Sequence, residues 1–258
     1  FCRNNGIKLV IPFSTTSNEA GSNPNVFQVY QTDATLNNKA IAAFLERFQK
    51  SHHPVFINCK DTSSQVGDFT SSLRRQLELQ KIKYDLTSTG SSATDFSKHF
   101  DATRPNVVIV NSEKSPQLNE VFAKLDQMKK TRPGIAVSLF GYNQWFVYQD
   151  YDLDQFFRYN TYIPSTYYYN KAADKTKSLE EKYSERYGEP MSKQYIPRMA
   201  LTGYDQAEFF VRGLKAYGKN FKGTAAEVKY RPLQTRYDFV RVGQGGYVND
   251  HFQLVHFK

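Results

Sequence analysis

Short apolar runs and stretches of helical period alternate along most of the chain. Leu9 to Ile11, "HPVFINC" ending at Cys59, "NVVIVN" (Asn106 to Asn111) and "IAVSLF" (Ile135 to Phe140) are brief and rich in β-branched residues. Runs of that length, bounded by Pro, Gly or polar residues, read as buried strands. Between them Ile41, Phe44, Leu45 and Phe48 recur at helical spacing, with Asp33 as the expected N-cap. Phe69, Leu73 and Leu77 mark a second helix. Leu118, Val121, Phe122, Leu125 and Met128 mark a third, with Pro116 in its first turn. Two later helices are expected from about Ala173 to Tyr187, stopping at Gly188, and from about Met199 to Tyr217, stopping at Gly218.

Strands alternating with helices in this way predict βαβ units and a parallel sheet covered on both faces, an α/β fold. The tail departs from the pattern. "RYDFVRV" and "YVNDHFQLVHF" are strand-like, and "GQGG" joins them as the turn of an antiparallel hairpin.

In open α/β sheets ligands gather outside the carboxyl ends of the strands. Those ends are polar here. Ser14, Thr15, Thr16 and Ser17 follow the first strand, "KDTSSQ" with Asp61, Ser63 and Ser64 follows "HPVFINC", and Asn111 to Glu113 close "NVVIVN". "GYNQW" supplies Tyr142 and the lone Trp145, and "PSTYYY" (Pro164 to Tyr169) follows a later strand carrying Tyr162 and Ile163. Hydroxyls, amides and rings suit a small polar ligand with an apolar part. The competing explanation is helix capping and turn formation, which also place Ser and Asp at strand ends. Trp145 beside Tyr142 is either a stacking platform or a packing residue.

Composition narrows the function classes. With 258 residues the chain can bury a full core in one large or two smaller domains. The net charge of +9 comes from 34 basic and 25 acidic residues scattered along the chain, which reads as a solvated surface and not a nucleic-acid face. No window has the uninterrupted apolar length of a membrane span. Starting at Phe1, the sequence reads as a processed or truncated piece. Cys2 and Cys59 lack metal-ligand spacing, and whether they pair is open. No nucleophile elbow, zincin helix, Walker loop or C-x-x-C is present, "GQGGYV" stands between strands, His52 and His53 sit at a helix end ahead of a strand, and His99, His251 and His256 have no carboxylate or Cys at ligand spacing. The expectation is a non-enzyme with no metal and no cofactor.

The ordered set "IPFSTTSNEAGSNPNVFQVYQTD", "CKDTSSQVGDFTSSL", "TDFSKHF", "RPNVVIVN", "SLFGYNQW", "YGEP" and "LTGYDQAEFFVRGLKAYG" resembles the type I periplasmic binding proteins, specifically the Leu/Ile/Val-binding-like group. The resemblance implies two Rossmann-like lobes with three crossovers, the first lobe incomplete. Lobe 1 would comprise residues 1–29 and 165–231, and lobe 2 residues 30–164 and 232–258. It also implies that Ser14, Thr15 and Thr16 match a loop holding a ligand's carboxylate and ammonium. Tyr204 would line the first lobe, with Asp205 beside it structural. Where the family carries a turn aromatic, this chain has Val66 before Gly67, and no acid matches the usual ammonium partner on the second lobe, Glu113 being a nearby candidate.

The leading expectation is therefore an extracytoplasmic module, of the periplasm or cell envelope, closing two lobes on an amino-acid-like ligand. The rival is an envelope-regulatory or protein-interaction domain on the same fold, linked to a peptidoglycan-associated partner. A sugar-responsive transcription factor core would need a DNA-binding helix-turn-helix, which the sequence does not show.

Overall fold

A computed structural model describes residues 1–15, 19–192 and 195–258. In chain order, β1 (Leu9–Ile11), α1 (Glu19–Ser22) and β2 (Val26–Gln28) lead into α2 (Asp33–Phe48). There follow β3 (His53–Asn58), α3 (Gly67–Leu79), β4 (Asp85–Ser88), α4 (Ala93–Lys98) and β5 (Asn106–Val110). Next come α5 (Ser115–Thr131), β6 (Val137–Phe140), a 3-10 turn (Asn143–Tyr148), α6 (Gln149–Arg158) and β7 (Tyr162–Ser165). The chain ends through α7 (Asp174–Tyr187), α8 (Met199–Tyr217), β8 (Phe239–Arg241), β9 (Tyr247–Asn249) and β10 (Gln253–His256).

These elements form two compact units, one of residues 1–36 and 166–253, the other of residues 37–165 and 254–258. The chain passes between them three times. In the first unit the sheet order is β1-β2-β9-β8, with β1, β2 and β9 parallel and β8 antiparallel to β9. In the second the order is β10-β7-β6-β5-β3-β4, parallel from β4 through β7.

The helical stripes face inward as their spacing demands. Ile41, Phe44 and Phe48 of α2, Phe69, Leu73 and Leu77 of α3, and Leu118, Val121, Phe122, Leu125 and Met128 of α5 are all buried. Strand β5 is buried along its whole length, as expected of a strand covered on both faces. Thr32, and not Asp33, caps α2: its Oγ1 accepts the Thr35 N–H at 3.2 Å, and Asp33 is the first helical residue.

The tail differs from the expected assignment of residues 232–258 to one lobe. Strands β8 and β9 do form an antiparallel pair, but β9 hydrogen-bonds to β2 in the first unit, whereas β10 joins the second unit's sheet. A hairpin's own pairing is local, while the sheet it joins depends on which edge is free to receive it.

Candidate functional site

The carboxyl ends of β3 and β5 meet side by side in the second unit, and their polar residues bind one another. Asn58 Oδ1 accepts the Lys60 N–H at 2.8 Å and an Asn111 Nδ2–H at 3.1 Å. Asn111 Oδ1 accepts the Cys59 N–H at 2.7 Å. These bonds hold Lys60 at φ +56°, a left-handed conformation uncommon outside glycine. Backbone of that kind is found where surrounding bonds over-determine it.

Each of the two loops then sends a carboxylate to the other. Asp61, from the loop after β3, accepts the Ser112 hydroxyl at 2.7 Å and the Lys114 ammonium at 3.1 Å, both from the loop after β5. The same carboxylate accepts the backbone N–H and the hydroxyl of Ser63, each at 3.0 Å. Lys114 also donates to Ser63 Oγ. In return Glu113, buried, accepts the Ser64 hydroxyl at 2.9 Å and the Gln65 N–H at 3.1 Å. Ser64 Oγ accepts the Val66 N–H at 3.2 Å, just ahead of α3.

The Asp61 side chain is 5% exposed, and its bonds, led by that from Ser112, hold its carboxyl well below the usual carboxylate range. A folded value below the ordinary 3.8 gives a clamp whose stability is complete above that pH and lost as pH falls through the folded value. The Ser63 amide resonance is therefore expected to hold steady from about pH 6 to about pH 4 and to move below that, a transition that Asp61→Asn abolishes. A Ser63 transition above the ordinary carboxylate range would show that the clamp does not stabilise the ionised form.

Of the residues singled out in the sequence, Asp61, Ser63, Ser64 and Asn111 thus share one network. Glu113 serves that network too: both of its oxygens accept from Ser64 or Gln65. Tyr142 and Trp145 are enclosed. The Tyr142 hydroxyl donates to the Val110 carbonyl at 2.5 Å, and burial raises its ionisation well above the ordinary tyrosine value. Trp145 is fully buried, stacked on Phe156 at 6.1 Å between centroids and set edge-on to Tyr142 at 5.6 Å. A Cβ on Gly141 would lie 2.2 Å from the Trp145 ring, so the bare backbone there is what admits the indole. The ring is a packing residue of the second unit, with no face presented as a platform.

The first unit carries the others. Ser14 and Thr15 are half-buried in the loop after β1, and Thr16 lies outside the described residues. Tyr204 is 38% exposed on α8, with the Lys175 ammonium 5.4 Å from its ring centroid. Asp205, beside it, is fully buried.

Sequence reasoning missed Asn58 and Lys114, and had Ser112 only as part of the strand end Asn111 to Glu113. The strand-end rule that found Asn111 applies equally to Asn58, the last residue of β3, whereas Lys114 looks like an ordinary helix-flanking cation. Both cysteines are free thiols, and burial pushes that of Cys59 up to about 12, which leaves it inert as a nucleophile. Among the described residues no group of three His, Cys, Asp or Glu side chains is placed to hold a metal ion, and no helix is long and apolar enough to cross a membrane.

No protein-family model matches the sequence, and no curated protein matches it. Solved structures do. The whole chain aligns with 72% of a Rhodospirillum rubrum protein described as a branched-chain amino acid ABC transporter, at 13% identity and a TM-score of 0.54. It aligns likewise with 73% of an ABC transporter substrate-binding protein from Desulfitobacterium hafniense, at 15% identity and a TM-score of 0.50. Identities this low speak to architecture, and the architecture is the alternating α/β arrangement with three chain crossings described above. The chain has the type I periplasmic-binding fold.

Proposed function

We propose that the chain is a non-catalytic, extracytoplasmic solute-binding module that takes a small, amino-acid-like ligand at its strand-end loops. The observation that carries this reading is the reciprocal clamp. Asp61 and Glu113 fasten the loops after β3 and β5 to each other, so the exposed Asn58 and Lys60 and the half-buried Asn111 stand on a fixed frame. Loops held by their own carboxylates suit pre-organised recognition, because little ordering remains when a ligand arrives. They suit catalysis poorly, since both carboxylates are occupied by hydroxyls, amides or an ammonium and neither is aimed at a nucleophile. Fold likeness to an ABC transporter substrate-binding protein and to a protein described as a branched-chain amino acid transporter supports the choice of ligand class. No specific observation favours the envelope-regulatory alternative.

Thermal-shift screening of the full chain against the common amino acids, followed by calorimetric titration, tests the proposal. At least one amino acid is expected to bind saturably, and Asn111→Ala to weaken it by about tenfold, or about 1.4 kcal/mol. Absence of any saturable heat across the panel would overturn the reading.

A further inference from the structure

The two amides of the strand-end frame have fixed orientations, which decide what the frame can bind. Asn58 Oδ1 accepts the backbone N–H of Lys60, and Asn111 Oδ1 that of Cys59, so in both side chains Nδ2 is the end left to donate. One Asn111 Nδ2–H goes to Asn58 Oδ1, and the Asn58 Nδ2–H groups have no acceptor among the described residues. Ser88 Oγ accepts the Gly90 N–H at 3.1 Å and keeps its own O–H to give.

Strand register puts these groups side by side. Asn58 of β3 is level with Ser88 of β4. Ile57 is level with Val110 of β5, which sets Asn111, one step on, level with Asn58. Level residues of neighbouring strands point to one face, so Asn111, Asn58 and Ser88 form a row across three adjacent strand ends. The Lys60 side chain runs to the β4 end of that row. A Cβ on Gly90 would lie 3.0 Å from Lys60 Nζ and 3.6 Å from Ser88 Oγ, so the ammonium and the hydroxyl flank one point.

The charges there do not balance. Asp61 is taken by Ser63, Ser112 and Lys114, and Glu113 by Ser64 and Gln65. Asp95, which follows in α4, pairs with Lys98. Lys60 is exposed, and its ammonium makes no hydrogen bond or ion pair among the described residues. Both carboxylates of the two loops are occupied, and what the frame still offers is donors and one cation.

From this we infer that the frame holds its ligand by a carboxylate, with Lys60 reading the charge, and takes carboxylic acids with or without an amino group. The carboxylate would sit beside Gly90, one oxygen toward the Lys60 ammonium and the other toward the Ser88 hydroxyl, with the Asn58 amide next in the row. Lys60 in this role rests on the solute-binding reading above and widens its ligand class, since no acid in the row answers an ammonium.

The test uses L-leucine, 4-methylpentanoate (the same acid without its amino group) and L-leucinamide (the same amine without its carboxylate). Each is titrated into the 15N-labelled full chain and followed by amide chemical shifts. Both acids are expected to give saturable shifts at Asn58, Lys60, Ser88, Gly90 and Asn111, with leucinamide about tenfold weaker than leucine or worse. Lys60→Gln should weaken both acids by about tenfold, with circular dichroism unchanged and any leucinamide binding unaltered. The inference is overturned if 4-methylpentanoate gives no saturable shift in the row, if leucinamide binds as tightly as leucine, or if Lys60→Gln leaves both acids as they were. In each of those cases the solute-binding reading stands as long as one amino acid of the calorimetric panel binds saturably, and it falls only with the whole panel.

Discussion

Asp205→Ala is expected to destabilise the first unit by about 3–5 kcal/mol, read as a shift of the urea midpoint monitored by far-UV circular dichroism. Asp205 lies inside α8 with no solvent exposure, and its carboxylate accepts three consecutive backbone N–H groups. These are Leu233 at 2.7 Å on one oxygen, and Gln234 and Thr235 at 2.8 Å each on the other. Removing the carboxylate strands three buried donors at once, and each such group costs about 1–3 kcal/mol. The damage would spread, because Gln234 also binds backbone of Arg198 at 2.8 Å and the Thr202 hydroxyl at 2.8 Å. Thr202 in turn meets the Tyr30 hydroxyl at 3.2 Å. Burial lifts the Asp205 carboxyl above the usual carboxylate range although the three amides pull it down. A neutral Asn therefore loses little through charge itself, and Asp205→Asn should retain about half of what Ala removes by keeping one acceptor oxygen. A midpoint for Ala within the error of wild type would show that residues 233–235 find other acceptors.

Phe27→Ala should cost a similar amount, about 3–5 kcal/mol, through a different mechanism. Phe27 is fully buried on β2, and four rings surround it. Tyr247 and Phe221 stack on it at 4.8 and 5.8 Å between centroids, while Phe239 and Phe210 meet it edge-on at 5.3 and 5.4 Å. Rigid rings cannot collapse into the space left, so the transfer term and the cavity term both apply. Phe27→Leu, which refills most of the volume, should recover more than half of the loss. If Ala and Leu destabilised equally, ring contacts and not cavity volume would dominate this core.

Much of the second unit was legible in the sequence. Strands such as β5 announce themselves because a strand covered on both faces must be apolar throughout, and α2, α3 and α5 because one face must be. The strand-end rule also located Asp61, Ser63, Ser64 and Asn111. It could not reveal that Asp61 and Glu113 bind across to each other's loops, because those pairings join residues about fifty positions apart. It could not separate an open ring from an enclosed one either. Trp145 sits in a polar-looking stretch, yet the turn folds it back beneath Gly141 and onto Phe156.

Strand β4 shows the same limit from the opposite side. Its sequence Asp-Leu-Thr-Ser lacks an apolar run, since an edge strand has only one neighbour and tolerates polar residues. Yet its Thr87 is buried against the sheet's neighbouring helices while Leu86, beside it in the strand, is 51% exposed on the other face.

By itself the sequence determined the class of fold, the order of most elements and the ends of strands where polar residues collect. Those properties follow from local periodicity, which burial imposes on every strand and helix in turn. Tertiary structure alone decided which sheet receives the β8–β9 pair, that Asp205 is an internal acceptor and not a surface acid, and which polar groups remain without a partner. Those outcomes depend on contacts between residues far apart in the chain, and no local pattern encodes the partner of a hydrogen bond.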